Sequence, residues 1–261
     1  MPAHDESPST RTAAVREFYE ALAPNYDAMT GFANRFERER PAFRALVERY
    51  DVKRALDAGC GSGFHSIVLA QLGVDVTALD LSQEMIRRTE EHARLHRVGI
   101  RTFVGGFHEI PADWRETFDG VFVMGNSLPH LLSQQELEES LARLMSVLRR
   151  SGTLVIQCLN YARILNRKDH ILNAKEVDGF LITREYEYDS EGILFSIVSR
   201  EVGTPGAVEI RETVRLRPVL QEELAGVLSR LGAKTESFGN IQLDPYQPLT
   251  STDLVIVASR K

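Results

Sequence analysis

The 261-residue sequence predicts an α/β fold: a mostly parallel sheet flanked by helices, with an antiparallel insertion towards its carboxyl end. Three observations predict it. A short apolar strand runs into a glycine turn and then a helical pattern over residues 53–72. A second strand over residues 74–80 ends in an acid. From about 180 to 217 the rhythm changes to alternating apolar and polar residues broken by turns.

The first stretch organises the rest. Arg54, Ala55 and Leu56 begin a strand that ends at Asp57, and Gly59, Gly61 and Gly63 follow at alternate positions. Glycine removes the Cβ that would keep a ligand away from the backbone and admits positive φ. The helical pattern of Ile67, Val68, Leu69 and Leu72 starts there, and the first N–H groups of a helix lack intrahelical partners. Strand, turn and helix open a nucleotide-binding βαβ unit. Asp80, 17 positions after Gly63, stands where an acid can accept hydrogen bonds from a ribose diol. The spacing is G-x-G-x-G behind an acid, not the G-x-G-x-x-G of dinucleotide enzymes. Together the two signals resemble the class I S-adenosylmethionine-dependent methyltransferases, whose first motif looks like Asp57-Ala58-Gly59-Cys60-Gly61-Ser62-Gly63. The resemblance implies a seven-stranded Rossmann-like methyltransferase sheet, S-adenosyl-L-methionine as cofactor and S-adenosyl-L-homocysteine as product.

Composition bounds the alternatives. The chain is 43% hydrophobic and 26% charged, which argues against wholesale disorder. It is long enough to bury roughly 75% of the surface its unfolded form would expose, so neither disulfide nor metal staple is needed. A net charge of −6 disfavours a nucleic-acid partner. Cys60 and Cys158 fall in the glycine turn and in a buried strand, which suits a reduced, cytoplasmic protein. No apolar run reaches membrane-spanning length, and the first ten residues carry no apolar signal region. No H-E-x-x-H, paired C-x-x-C or G-x-S-x-G motif supports metal-dependent or serine-nucleophile chemistry, so no metal ligand is assigned.

Taken in order, residues 1–10 read as a disordered tail, and 11–23 as an amphipathic helix through Val15, Phe18, Tyr19 and Leu22 that Pro24 stops. Ser82 caps a helix over 82–97 that buries Met85 and Ile86. The third strand covers about 100–105 and leads to Gly106-Phe107; the fourth covers 117–124. Ser133 and Glu136 form a capping box for a helix over 133–148 whose apolar stripe is Leu137, Leu141, Leu144 and Leu148. A fifth strand follows over 153–159. Residues 180–217 form a three-stranded antiparallel meander, read as a lid over the carboxyl ends of the sheet. A helix over 219–231 and two closing strands, 233–239 and 251–259, complete the fold. The organisation is a tail (1–10), a cofactor-binding core (11–160), an inserted lid (161–217) and a closing segment of the core (218–261).

The fourth strand runs into Gly125-Asn126-Ser127-Leu128-Pro129-His130-Leu131, and the fifth ends at Asn160-Tyr161. This succession resembles glycine N-methyltransferase and its bacterial glycine/sarcosine relatives. By that resemblance the cofactor-binding residues are Tyr26, Arg35, Asp57, Ala58, Gly59, Gly61, His65, Asp80, Leu81, Met85, Gly106, Phe107, Met124 and His130. Asn126 and Tyr161 are the expected catalytic pair, and Arg215, Arg217 and Tyr246 are expected to join them around the substrate. The chain departs from the pattern at Leu159, where the glycine enzymes place a carboxylate-binding arginine; leucine cannot pair with a carboxylate. Glycine is therefore not an expected acceptor; the rival account is that Arg215 or Arg217 takes over from the missing arginine.

Methyl transfer from a sulfonium needs binding, orientation and electrostatics from the protein rather than a dedicated base. The function read from the sequence is methyl transfer to a small-molecule acceptor, with an amine favoured over a hydroxyl or carbon. The rival readings are an inactive cofactor-binding regulatory module, an O-methyltransferase and, least supported, an NAD-dependent oxidoreductase. A homo-oligomer is compatible with the sequence, and neither nucleic acid nor membrane is an expected partner.

Overall fold

The structure, a computed structural model, describes residues 8–177, 179–203 and 208–260. Parallel strands β1 (Arg54–Ala58), β2 (Asp75–Asp80) and β3 (Ile100–Val104) pair in chain order. β4 (Phe118–Val123) then returns to the other side of β1, and β5 (Leu148–Leu159) pairs beside it. β11 (Asp253–Arg260) runs antiparallel to β5, and β10 (Ala233–Phe238) antiparallel to β11. The order is β3-β2-β1-β4-β5-β11-β10, so the direction of winding reverses between β1 and β4.

Helices cover both faces because the central strands are apolar on both sides. On one face, Leu137, Leu141 and Leu144 of α6 (Gln134–Ser146), with Leu224 and Leu228 of α8 (Gln221–Arg230), pack on Leu56, Val121 and Leu154. On the other, Phe43 of α3 (Phe32–Arg49) and Ile67 and Val68 of α4 (Phe64–Gln71) pack on Ala55, Val76, Phe122 and Val155. Both expected caps form. Ser82 Oγ accepts from Met85 N at the start of α5 (Gln83–Leu95), and Ser133 with Glu136 closes a capping box on α6.

A separate antiparallel sheet follows α7 (Tyr161–Arg167). It has four strands, β6 (Ile171–Val177), β7 (Phe180–Asp189), β8 (Gly192–Glu201) and β9 (Ile210–Leu216), where the sequence pattern predicts three. β6 is an edge strand whose Asn173, Lys175 and Glu176 dilute the apolar alternation. The inner face of this sheet, with Ile182, Tyr186, Ile193, Ile197 and Val214, packs against Phe18 and Leu22 of α1 (Pro8–Leu22) and against Tyr161 and Ile164. A short helix, α2 (Tyr26–Thr30), joins α1 to α3.

Two boundaries differ from the sequence reading. α1 begins at Pro8, so residues 8–10 are helical; residues 1–7 of the expected tail lie outside the described residues. β5 begins at Leu148, five residues early, with a register irregularity against β4 and Ser151 at φ +65°. Leu148 therefore pairs with Phe118 in the sheet and is not part of the helical stripe.

At Gly63 the first turn of α4 requires glycine on two counts. Its φ is +86°, and a Cβ there would lie 2.7 Å from the side chain of Thr89, which is fully buried. Gly63→Ala should cost about 2–5 kcal/mol of stability in a urea titration, from left-handed strain and overpacking together. A loss below about 1 kcal/mol would show that the turn relaxes freely.

Candidate functional site

A cavity of about 1200 Å³ opens at the carboxyl ends of β1 to β4, where the winding reverses. It exceeds the roughly 300–1,000 Å³ usual for small-molecule sites, which leaves room for two ligands. The glycine turn is its floor. Gly59 N and Cys60 N donate to Leu79 O at 2.7 and 3.0 Å. Gly61 N donates to Asp80 Oδ2 at 2.8 Å, and Ser82 N to Asp80 Oδ1 at 2.9 Å. With Leu81 N–H also on the carboxylate, one of its four lone-pair sites remains for a hydroxyl of a ribose diol. Burial raises the Asp80 pKa against the pull of the backbone N–H groups of Ser82, Gly61 and Leu81. The turn is cut close: a Cβ on Gly59 would lie 2.6 Å from Ser127 Oγ, and one on Gly61 would lie 3.3 Å from the Tyr26 hydroxyl. Burial first, then the Asp80 charge, pushes the Tyr26 pKa up to about 12.

One wall is cationic but matched. Arg35 lies 4.0 Å over the Phe64 ring and donates to Glu39 at 2.8 and 3.0 Å. It also reaches His65 Nε2 at 3.0 Å, and since guanidinium can only donate, His65 accepts. Burial, then the Arg35 charge, holds the His65 pKa down at about 3.

The roof is α1. The Tyr19 hydroxyl lies 2.8 Å from His130 Nε2, and the rings meet edge to face at 5.4 Å. His130 Nδ1 is buried without a partner, and burial lowers the His130 pKa to about 4. Beyond His130, Arg11, Thr12, Ala13, Val15 and Arg16 of α1 face Gln135, Glu136, Glu139 and Ser140 of α6 across the cavity, with Arg11 and Glu136 paired at 3.1 Å.

Of the residues expected at the cofactor, Tyr26, Arg35, Gly59, Gly61, His65, Asp80, Leu81, Gly106, Phe107, Met124 and His130 line the cavity. Asp57, Ala58 and Met85 do not; all three are fully buried behind it. Asp57 accepts from Ser66 Oγ at 2.6 Å, its other oxygen has no partner, and burial pushes its pKa up to about 7. The residues expected at the substrate are also displaced from the wall. Asn126 and Tyr161 bond to each other, with Asn126 Nδ2 2.9 Å from the Tyr161 hydroxyl, and Asn126 Oδ1 accepts from Leu159 N at 3.1 Å. Their polar atoms brace the junction of β4 and β5. The Tyr246 hydroxyl donates to Asn160 Oδ1, whose amide holds the carbonyls of Pro248 and Ser251. Arg215 pairs with Asp189 and Glu191, and Arg217 with Glu223 and the Leu131 carbonyl. Neither arginine lines the cavity.

The sequence reading omitted the roof. Tyr19 sits in the apolar stripe of α1 and reads as core; Glu136 reads as a capping-box residue, and Gln135 and Glu139 lie outside the apolar stripe of α6. A hydroxyl within an otherwise apolar stripe was the available signal.

Two neutral histidines in one cavity set an acid sensitivity. His65 and His130 have folded pKa values of about 3 and about 4, against about 6.5 unfolded. At these two sites the unfolded chain binds more protons between those limits, so their contribution to stability is full above about pH 6.5 and falls as pH falls through it. Each histidine should remove roughly 2 kcal/mol between about pH 7 and 5 in urea unfolding, which Asp57, its pKa raised to about 7, opposes by taking up a proton in the folded chain. The His130→Gln variant should lose its share of that difference; an unchanged dependence would mean that His130 is not held neutral.

Comparison with known proteins agrees with this geometry. Residues 55–152 match the family model of a methyltransferase domain. The chain is 31% identical over 177 residues to a glycine/sarcosine N-methyltransferase of Aphanothece halophytica, covering 68% of this chain and 67% of that one. It is 31% identical over 150 residues to the glycine/sarcosine N-methyltransferase of Parasynechococcus marenigrum, covering 58% and 53%. The chain thus spans about two thirds and about half of the lengths of these relatives. In fold it is similar to an S-adenosylmethionine-dependent methyltransferase from Clostridium acetobutylicum, with a TM-score of 0.78, 14% identity and coverage of 93% and 98%. By sequence and by fold, the chain belongs to the S-adenosylmethionine-dependent methyltransferases.

Proposed function

We propose that the chain methylates the neutral amine of a small acceptor other than glycine, bound beneath α1. The observation that carries this reading is the cavity itself, roomy enough for two ligands above the glycine turn and walled by His130, which burial holds neutral. The residues on the cavity side fit the cofactor. Asp80 offers its remaining lone pair to a ribose diol, and Phe107 an aromatic face and Gly106 backbone to an adenine. The bound cofactor supplies an electrophilic methyl group. The chain's own residues hold both partners in line, and α1 keeps water out. The Tyr19 hydroxyl, 2.8 Å from His130 Nε2, fixes the His130 ring on the cavity wall.

The acceptor class follows from charge. Glycine needs a cation for its carboxylate, and Leu159 supplies none. Of the arginines on the cavity wall, Arg11 and Arg35 are already paired with Glu136 and Glu39, and Arg16 sits exposed at the rim. The relatives named for glycine and sarcosine support an amine acceptor, while the missing anchor favours a bulkier or less acidic one.

Transfer of labelled methyl from S-adenosylmethionine to a panel of small amines, hydroxylated metabolites, glycine and sarcosine tests the reading. Glycine and sarcosine should fall about 30-fold or more below the best amine in kcat/KM. High efficiency towards either would sink the acceptor assignment, and no transfer to any compound would favour a binding module without catalysis. For the cofactor, Asp80→Asn should raise the dissociation constant of S-adenosylmethionine about tenfold or more by calorimetry. Unchanged affinity would remove Asp80 from the cofactor site.

A further inference from the structure

We propose that His92 is a positioning residue, a charged clasp that ties the floor of the cavity to its Tyr26 cap and makes cofactor affinity depend on pH. The inference rests on the reading of the cavity as the cofactor site. His92 lies in the last turn of α5, outside the cavity wall. Its Nδ1 is 2.7 Å from the carbonyl oxygen of Ser62 in the glycine turn. Its Nε2 is 3.1 Å from Asp27 Oδ2 in α2. Both neighbours are oxygens that only accept. Neutral imidazole carries one N–H, so it would set a lone pair against one of these oxygens; imidazolium satisfies both.

The surroundings favour the charged form. Asp27 is ionised: despite burial, hydrogen bonds from His92 and Ser62 and the charges of His92 and Arg88 hold it below the usual carboxylate range. Arg88 sits 3.2 Å from the same carboxylate oxygen, so Asp27 is shared by two cations. The ring lies on Phe32 of α3, with centroids 4.1 Å apart, a stacking that favours a cation. Burial works against the charge, but the Asp27 carboxylate and the Ser62 carbonyl outweigh it, and the His92 pKa is raised. The charged and titratable groups facing His92 are Asp27 from α2 and Arg88 and His96 from its own helix. From α3 it meets the uncharged Phe32, and from the glycine turn a carbonyl.

The clasp acts on the cavity through adjacent residues. Ser62 and Gly61 are part of the floor, and Tyr26, next to Asp27, packs on Gly61. When His92 is charged, floor and cap are held together by two bonds; when it is neutral, only one survives. Cofactor affinity should therefore be full below the His92 pKa and fall as pH rises through it.

The test begins with the full chain alone, carrying nitrogen-15 histidine. Nuclear magnetic resonance should show both His92 ring nitrogens protonated at neutral pH, with a titration midpoint above about 6.5. The midpoint should fall in the near-isosteric Asp27→Asn variant. Calorimetry with S-adenosylhomocysteine from about pH 6 to 9 should then show affinity falling about fivefold or more across that midpoint in the parent and not in His92→Gln or Asp27→Asn. A His92 midpoint below about 6.5, or a parent-like pH dependence in the folded variants, would overturn the clasp. Failure of every form to bind the product at any pH would overturn the cofactor reading and, with it, the effect on affinity. The resonance titration uses no ligand, so it still decides whether the clasp is charged.

Discussion

The cavity depends on how its floor is held. A glycine turn with three positive-φ residues carries few side chains of its own, and its N–H groups are held by two acceptors at the end of β2. The Leu79 carbonyl takes the N–H groups of Gly59 and Cys60, and the Asp80 carboxylate takes that of Gly61. Both acceptors belong to the neighbouring parallel strand, so the turn is only as well placed as the pairing of β1 with β2. One carboxylate thereby has two tasks, since the oxygens that pin the backbone are also those that face the cavity. Burial makes that arrangement costly for the charge, and the N–H groups around Asp80 offset the cost.

The antiparallel sheet contributes to the site at one remove. None of its described residues lines the cavity. Its apolar face instead holds α1 by Phe18 and Leu22, and α1 turns Tyr19 towards His130. The sheet is in this sense a bracket for the roof. The charges along its strands, such as Arg211 with Glu185 and Arg215 with Asp189, are matched at its surface from β9 over β8 to β7.

The core strands, the glycine turn and the helix caps at Ser82 and Ser133 were legible because each rests on local chemistry: apolar runs, φ freedom and capping side chains. The floor of the site was legible for the same reason. The substrate side was not. Asn126 and Tyr161 are polar residues at strand ends, as the reading required, but they satisfy each other, and no sequence pattern reveals which polar groups will pair across 35 positions. Asp57 misleads in the opposite way. It belongs to the glycine motif, yet it points into the interior and bonds Ser66, because alternate residues of a strand face opposite ways. The extra edge strand β6 was hidden by polar residues, which edge positions tolerate.

The bracket for the roof has a consequence for how the molecule is made. α1 emerges from the ribosome early, but the strands that hold it, from Ile182 to Val214, follow some 160 to 200 residues later in the chain. A short amphipathic helix is marginal in water until it packs. The cavity therefore has a floor, formed as β1 and β2 pair, long before it has a ceiling, and its closure waits for contacts of high sequence separation, which are the slow ones. During synthesis the nascent site stands open, its aromatic ceiling residues exposed, until most of the chain has been made.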